Sequence, residues 1–135
     1  EEAERLSRDA LARTARLPPD HPLVAETTTA LGRVFQEKGA YDAAIPVLRQ
    51  AVALHERRGD SVELANSVHE LANVHFYAGQ YDESAKLNAH ALALYRHLFG
   101  DRHPHVGDTL INLGAIEFER GDYPADWGSV PPDDL

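Results

Sequence analysis

Histidine is the side chain of this sequence best suited to chemistry, because its imidazole can bind a metal ion or carry a proton near neutral pH. The chain contains eight histidines and no cysteine. A zinc site on a helix commonly uses two histidines four residues apart, and no pair here has that spacing. His69 and His75 are six residues apart, and His90 and His97 are seven apart. We therefore expect no metal site and no cofactor.

Other catalytic motifs are also missing from the sequence. It contains no glycine-rich phosphate loop, no nucleophile motif and no paired catalytic carboxylates. The formal net charge of -9 argues against nucleic acid as a partner, because phosphate binding needs clustered positive charge. No apolar run approaches the ~18 residues of a membrane span. We expect a protein that is not an enzyme, that has no membrane partner and that is cytoplasmic, which the lack of cysteine fits.

The chain repeats itself at offsets of 40 and then 42 residues. Gly-Ala-Tyr-Asp at 39–42 recurs as Gly-Gln-Tyr-Asp at 79–82 and as Gly-Asp-Tyr-Pro at 121–124. The same offsets relate four further columns, each a set of equivalent positions: Ala25, Ala65 and Gly107; Leu31, Leu71 and Leu113; Gly32, Ala72 and Gly114; Val34, Val74 and Ile116. Five columns that share one pair of offsets indicate a structural repeat.

Each repeat predicts two helices and therefore an all-α fold. Apolar residues at helical spacing run from Val24 to Lys38, and Gly39 follows where a left-handed residue ends a helix. Asp42 lies in the first turn of the next helix, where a carboxylate complements the exposed amides. The small residue after each leucine, such as Gly32, lets antiparallel helices pack closely.

These motifs resemble the tetratricopeptide repeat. The resemblance rests on the Leu-Gly or Leu-Ala pair, the Gly-x-Tyr-Asp turn and the Ala-Val-x-Leu or Ala-Leu-x-Leu end of the second helix. Residues 100–106, Gly-Asp-Arg-His-Pro-His-Val, are more specific and are partly repeated at 20–24 as Asp-His-Pro-Leu-Val. This turn is similar to that of the roughly 42-residue variant found in kinesin light chains and many bacterial signalling proteins. The resemblance covers about residues 4–125 and implies a right-handed α-solenoid of antiparallel helix pairs.

The repeats divide the chain into five parts. We expect residues 1–20 to be the second helix of an incomplete leading repeat, 21–60 and 61–102 to be two full repeats, and 103–125 to be the first helix of a truncated third. Residues 126–135 form an extended acidic tail with the single Trp. The sequence contains no Met, which suggests a fragment of a larger scaffold or signalling protein.

The resemblance also implies a binding surface, since first helices in this family line a concave groove that holds a peptide or partner segment. By position relative to the leucine column, the groove residues are Thr29, Arg33, Gln36, Asn66, His69, Asn73, Phe76, Tyr77, Ile111 and Phe118, and Glu37 lies on the same wall. In the family an Asn at the position of Asn73 often clamps a peptide backbone amide, although an Asn on a solvated face is equally compatible with the sequence. Arg33 is its equivalent one repeat earlier and is suited to pairing with a carboxylate.

The sequence does not decide where three aromatic residues lie, and it argues against one class of ligand. Phe76, Tyr77 and Phe118 fit the groove and the core equally well, because an aromatic side chain near a helix seam is often core. The lysines of the two-carboxylate clamp in chaperone-binding members are missing, which argues against a chaperone C-terminus as ligand.

The tail is a candidate ligand in its own right. Asp126 and Trp127 resemble the acidic, Trp-containing cargo peptides that kinesin light chains bind. Trp127 would pack on the apolar face of the helix expected at 104–120, or enter the groove of a neighbouring molecule, unless these residues are simply a frayed terminus. The favoured function is therefore a protein–protein interaction module. The alternative is a structural module that forms a homo-oligomer through its exposed end helices or its tail.

Overall fold

The computed structural model describes residues 2–121, which form six α-helices and no strand. The helices are α1 (Glu2–Thr14), α2 (Pro22–Glu37), α3 (Tyr41–Glu56), α4 (Val62–Tyr77), α5 (Tyr81–Phe99) and α6 (Pro104–Arg120). The predicted all-α class is confirmed. The proposed ligand residues Asp126 and Trp127 lie outside the described residues, as does the third Gly-x-Tyr turn beyond Gly121.

Each helix packs on the helix that precedes it and on the one that follows it. The packed pairs run from α1 with α2 to α5 with α6, and α2 also touches α4. Contacts of this kind, between neighbours along the chain, are those of a solenoid. The first helices of the repeats are α2, α4 and α6, and the second helices are α1, α3 and α5.

The helices enclose two hydrophobic cores that meet at α4. One lies between α2, α3 and α4 and contains Leu31, Phe35, Ala44, Ile45, Leu48, Leu71 and Val74. The other lies between α4, α5 and α6 and contains Leu64, Ala65, Val68, Ala91, Leu92, Leu94, Tyr95 and Val106. Leu113 is partly buried against the second core. The leucine column is therefore core, as predicted.

The His-Pro turn is a signal that starts a helix. His21 precedes α2 and His103 precedes α6, and Nδ1 of each ring accepts a hydrogen bond of 3.2 Å from the backbone N–H two residues later. Proline then occupies the first helical position, where no amide proton is needed. Ser61 caps the N-terminus of α4: its Oγ accepts a hydrogen bond of 3.1 Å from the N–H of Leu64. The shorter middle junction thus keeps a cap of different chemistry.

The Gly-x-Tyr-Asp turn ends one helix and begins the next. Gly39 has φ of 75°, so it adopts the left-handed conformation that was predicted. The N–H of Ala40 donates to the carbonyl of Phe35 at 2.9 Å, and that of Gly39 to Gln36 at 3.0 Å. This pair of bonds is the Schellman motif. Tyr41 then opens α3, so the turn fixes the angle between the two helices.

The small residue after the leucine is buried beneath the partner helix. A Cβ atom built on Gly32 would lie 2.5 Å from Cδ2 and 2.6 Å from Cγ of Leu48, so a side chain here would require Leu48 to shift. Ala72 holds the equivalent place in the second repeat and is fully buried. At Gly114 a Cβ atom would meet no heavy atom within 4 Å in the described part of the chain.

Candidate peptide-binding groove

A groove of about 500 Å³ runs between α2 and α4. Its walls are formed by Arg33, Gln36, Glu37, Tyr41, His69, Glu70, Asn73 and Tyr77. Six of these were predicted from the sequence: Arg33, Gln36, Glu37, His69, Asn73 and Tyr77. They meet because residues three, four and seven apart share one face of a helix, and the two first helices present that face side by side.

An ion pair crosses the groove from α2 to α4. Arg33 Nε donates a 2.5 Å hydrogen bond to Oε1 of Glu70, so the carboxylate that Arg33 pairs with lies within this chain. The Glu70 side chain is 19% exposed, and its second oxygen, Oε2, is buried with no hydrogen-bond partner among the described residues. Burial raises the pKa of Glu70, against the opposing effect of Arg33. The carboxylate therefore has one free acceptor oxygen.

His69 lies next to Glu70 and carries a hydrogen-bond donor where Glu70 carries an acceptor. Nδ2 of Asn112 lies 3.4 Å from Nε2 of His69. An amide nitrogen can only donate, so Nε2 accepts, and the neutral ring carries its proton on Nδ1. Burial lowers the pKa of His69, which favours this neutral form. Nδ1 is buried without a partner among residues 2–121, as is Oε2 of Glu70. Both residues line the groove.

Aromatic rings form one wall of the groove. Tyr41 and Tyr77 are stacked, with centroids 6.0 Å apart and an interplanar angle of 17°. Tyr77 is 60% exposed. Phe76 lies behind it, half-buried, with its ring 5.7 Å from Tyr77 and 5.4 Å from Tyr81. Tyr77 therefore lines the groove, and the half-buried Phe76 does not.

Besides Phe76, four further predicted groove residues lie outside this groove. Thr29 Oγ1 donates to the carbonyl of Ala25 at 2.8 Å. Asn66 Oδ1 accepts from the Tyr95 hydroxyl at 2.5 Å, and burial raises the pKa of Tyr95 to about 12. Ile111 and Phe118 lie on α6 with 71% and 58% of their surfaces exposed. The predicted face therefore extends beyond the groove, whose walls come from α2, from α4 and from Tyr41 of α3.

Tyr41 and Glu70 were not predicted as groove residues. Tyr41 comes from the turn and not from a first helix, so a rule based on first helices omits it. The sequence does contain an indication of Glu70. The equivalent positions in the three repeats are Ala30, Glu70 and Asn112, so this column changes from apolar to polar after the first repeat. No cluster of three His, Asp or Glu residues within 2–121 is arranged to hold a metal ion. None of the six helices is long and apolar enough to cross a membrane.

A family model described as the tetratricopeptide repeat matches residues 1–57 and 63–125. The chain belongs to the tetratricopeptide repeat family. Repeats of this family generally mediate protein–protein interaction and form non-catalytic scaffolds. No curated protein matches the chain.

Solved structures share the fold of this tetratricopeptide chain. A Podosopora anserina protein described as a kinesin light chain with nearly identical TPR-like repeats is 25% identical, with a TM-score of 0.81 over 89% of this chain and 58% of that one. A point variant of that protein is 24% identical with the same score and coverage. BtubC (BKLC) from P. vanneervenii is 23% identical, with a TM-score of 0.79 over 88% of this chain and 48% of that one. The predicted kinesin-light-chain-like variant is confirmed, and this chain spans about half the length of these structures.

Proposed function

We propose that this chain binds an extended segment of another protein in the groove between α2 and α4. The observation that carries the proposal is that two residues lining the groove each keep a buried polar atom without a partner among the described residues: Nδ1 of His69, a donor, and Oε2 of Glu70, an acceptor. A peptide backbone supplies one acceptor and one donor per residue, which is the complement of this pair. Asn73, three residues further along α4, adds a carboxamide with both capacities.

The charge of the groove favours a segment that carries Lys or Arg. Glu37 and Glu70 together outweigh Arg33 by one negative charge, and Arg33 is already paired. The face of the stacked Tyr77 ring attracts cations. The whole chain has a formal charge of -9, which speeds the approach of a basic partner.

Peptide selection tests this proposal. A random peptide library displayed on phage is selected against the chain, and the affinities of the recovered peptides are measured by fluorescence polarisation. We expect basic peptides whose affinity falls at least about fivefold with Glu70→Gln or Asn73→Ala, since the first removes the negative charge and replaces one acceptor oxygen by a donor, and the second removes the carboxamide. Gln50→Ala, an exposed change on α3 outside the groove, is the matched control and should leave affinity unchanged. Equal effects of all three variants, or no recovered peptide, would refute groove binding.

A second candidate function is self-association through α6. Leu110, Ile111 and Phe118 are 45%, 71% and 58% exposed, whereas Val68, the equivalent of Leu110 in the second repeat, is fully buried. Apolar side chains gathered on one helix favour contact with another protein surface, here that of a second copy. Sedimentation at increasing concentration separates the candidates: a dimer that Ile111→Glu abolishes supports association, and a monomer at every concentration excludes it.

A further inference from the structure

A small cavity opens beside the groove, between α4, α5 and α6. Its volume is about 70 Å³, and its described lining consists of Asn73, Phe76, Tyr77, Asn88, Asn112, Ala115 and Ile116. Asn73 and Tyr77 line the groove as well, so the cavity is a side pocket of the groove. Three carboxamides among seven lining residues make it unusually polar for a space between packed helices.

Asn88 is the buried polar residue of this side pocket. It is 1% exposed, and its Nδ2 donates to the carbonyl of Ser84 at 3.1 Å and lies 3.3 Å from Ser84 Oγ. These contacts fix the orientation of the amide, because only the nitrogen can donate. Oδ1 is then left buried without a partner among the described residues. A buried acceptor without a donor destabilises the folded chain. A hydrogen-bond donor on a bound molecule would remove this cost.

The first repeat shows that the fold does not need a polar residue here. At an offset of 40 residues, Asn88 corresponds to Leu48 and Ser84 to Ala44, both fully buried. Leu48 closes the space above Gly32. In the second repeat Ala72 replaces Gly32, and Ser84 Oγ donates to the Ala72 carbonyl at 2.8 Å. In the first repeat, Gly32 and Leu48 thus fill this space with apolar atoms. In the second repeat, Ala72 and Asn88 leave a polar cavity at the same place.

We propose that the side pocket receives a short neutral side chain of the bound segment, a Ser, Thr or Asn, which donates a hydrogen bond to Oδ1 of Asn88. This inference rests on the proposed function. A carboxylate has no proton to donate, and the small volume, about 70 Å³, favours a short side chain. The carboxamides of Asn73 and Asn112 line the same space and supply further donors and acceptors for the hydroxyl or amide.

The test compares the chain with a variant that carries the residues of the first repeat, Gly32 and Leu48, at the equivalent positions of the second repeat. Ala72→Gly with Asn88→Leu reproduces Gly32 and Leu48 in the second repeat and fills the side pocket. The same phage library is selected on both proteins. We expect wild-type peptides to share a Ser, Thr or Asn at one fixed position, and the double variant to select the rest of the motif without that preference.

A peptide pair then measures the contact directly. Replacement of the shared Ser, Thr or Asn by Ala should weaken binding to the wild type about five- to tenfold, and should not change binding to the double variant. In the wild type, the side-chain amide signals of Asn88 in ¹H–¹⁵N spectra should shift when the peptide with the Ser, Thr or Asn is added. They should not shift when the peptide with Ala at that position is added. The spectra keep the inference testable if the double variant does not fold.

The outcomes separate this inference from the proposed function. If both proteins select the same motif at every position, or if the Asn88 signals do not distinguish the two peptides, the side pocket holds water only and the inference is wrong. Peptides would still be recovered in that case, so groove binding would stand. If the wild type recovers no peptide at all, both proposals fail.

Discussion

Glu70 and Arg33 belong to different repeats, and their contact sets the electrostatics of the groove. The sequence predicted Arg33 from its place on a helical face, but not its partner, because pairing across repeats depends on how two first helices are spaced. Asn88 was missed for a related reason: the position reads as core, and only the comparison with Leu48 marks it as unusual. At this scale, periodicity predicts which face a residue occupies but not which groups remain unpaired.

The pKa of Glu70 leads to a prediction about stability. Burial raises this pKa above its ordinary value of 4.5, so the folded chain binds the proton more tightly than the unfolded chain and loses stability as pH rises through the folded-state pKa. Glu70→Gln stays neutral throughout. We expect this variant to unfold at higher urea concentration than the wild type at pH 7, with the difference shrinking as pH falls towards 4. A difference independent of pH would contradict the raised pKa.

Gly32 allows a matched test of helix packing. Gly32→Ala places a methyl group 2.5 Å from Leu48, and overpacking of this kind costs about 1–3 kcal/mol. Gly114→Ala sits at the equivalent position on α6, where nothing described lies within 4 Å, and the higher helix propensity of Ala adds up to ~1 kcal/mol. Urea unfolding should show a lower free energy of unfolding for the first variant and a higher one for the second. Stabilisation by both would mean that Leu48 yields easily.

At the scale of the helices, the sequence predicted most of what is observed. Helix starts and stops depend on local chemistry, such as the His21 cap, the proline after it and the left-handed Gly39, so a short stretch of sequence contains the information. The helix bounds differ from the predicted ones by two residues for α2, where helix formation begins at Pro22 and not at Val24. That difference follows from the cap, because His21 fixes the first turn.

The cap at His21 can be tested by substitution. Loss of the Nδ1 acceptor in His21→Ala leaves the N–H of Leu23 without its partner, and loss of a cap typically costs about 1 kcal/mol. Asn is among the best capping residues, so His21→Asn should retain most of the stability. Thermal unfolding followed by circular dichroism distinguishes the two variants. Equal melting temperatures for both would show that the ring nitrogen contributes nothing.

At the scale of the whole molecule, the fold was predictable because a solenoid is built from contacts between neighbouring elements. One offset in the sequence then specifies the whole arrangement. The extent of the groove was not predictable in the same way: the first helices share one face, yet only α2 and α4 enclose a volume of about 500 Å³. The predicted residues on α6, Ile111 and Phe118, extend that face as an exposed surface.

The two cores predict a gradient of local stability. Residues of α4 belong to both cores, whereas α1 packs mainly on α2. Amide hydrogen exchange reports the free energy of local opening. We expect the slowest exchange in α4 and the fastest in α1. Uniform protection across the helices would indicate that the chain opens only as a whole.

The central claim is that the groove between α2 and α4 holds a peptide, and a map of the binding surface tests it most directly. The measurement is a ¹H–¹⁵N titration of the labelled chain with a selected basic peptide. The claim predicts the largest shifts at Arg33, Glu70, Asn73 and Tyr77, with little change at Gln50 on α3. Shifts centred on Ile111 and Phe118 of α6, or on the exposed residues of α3 and α5, would contradict it.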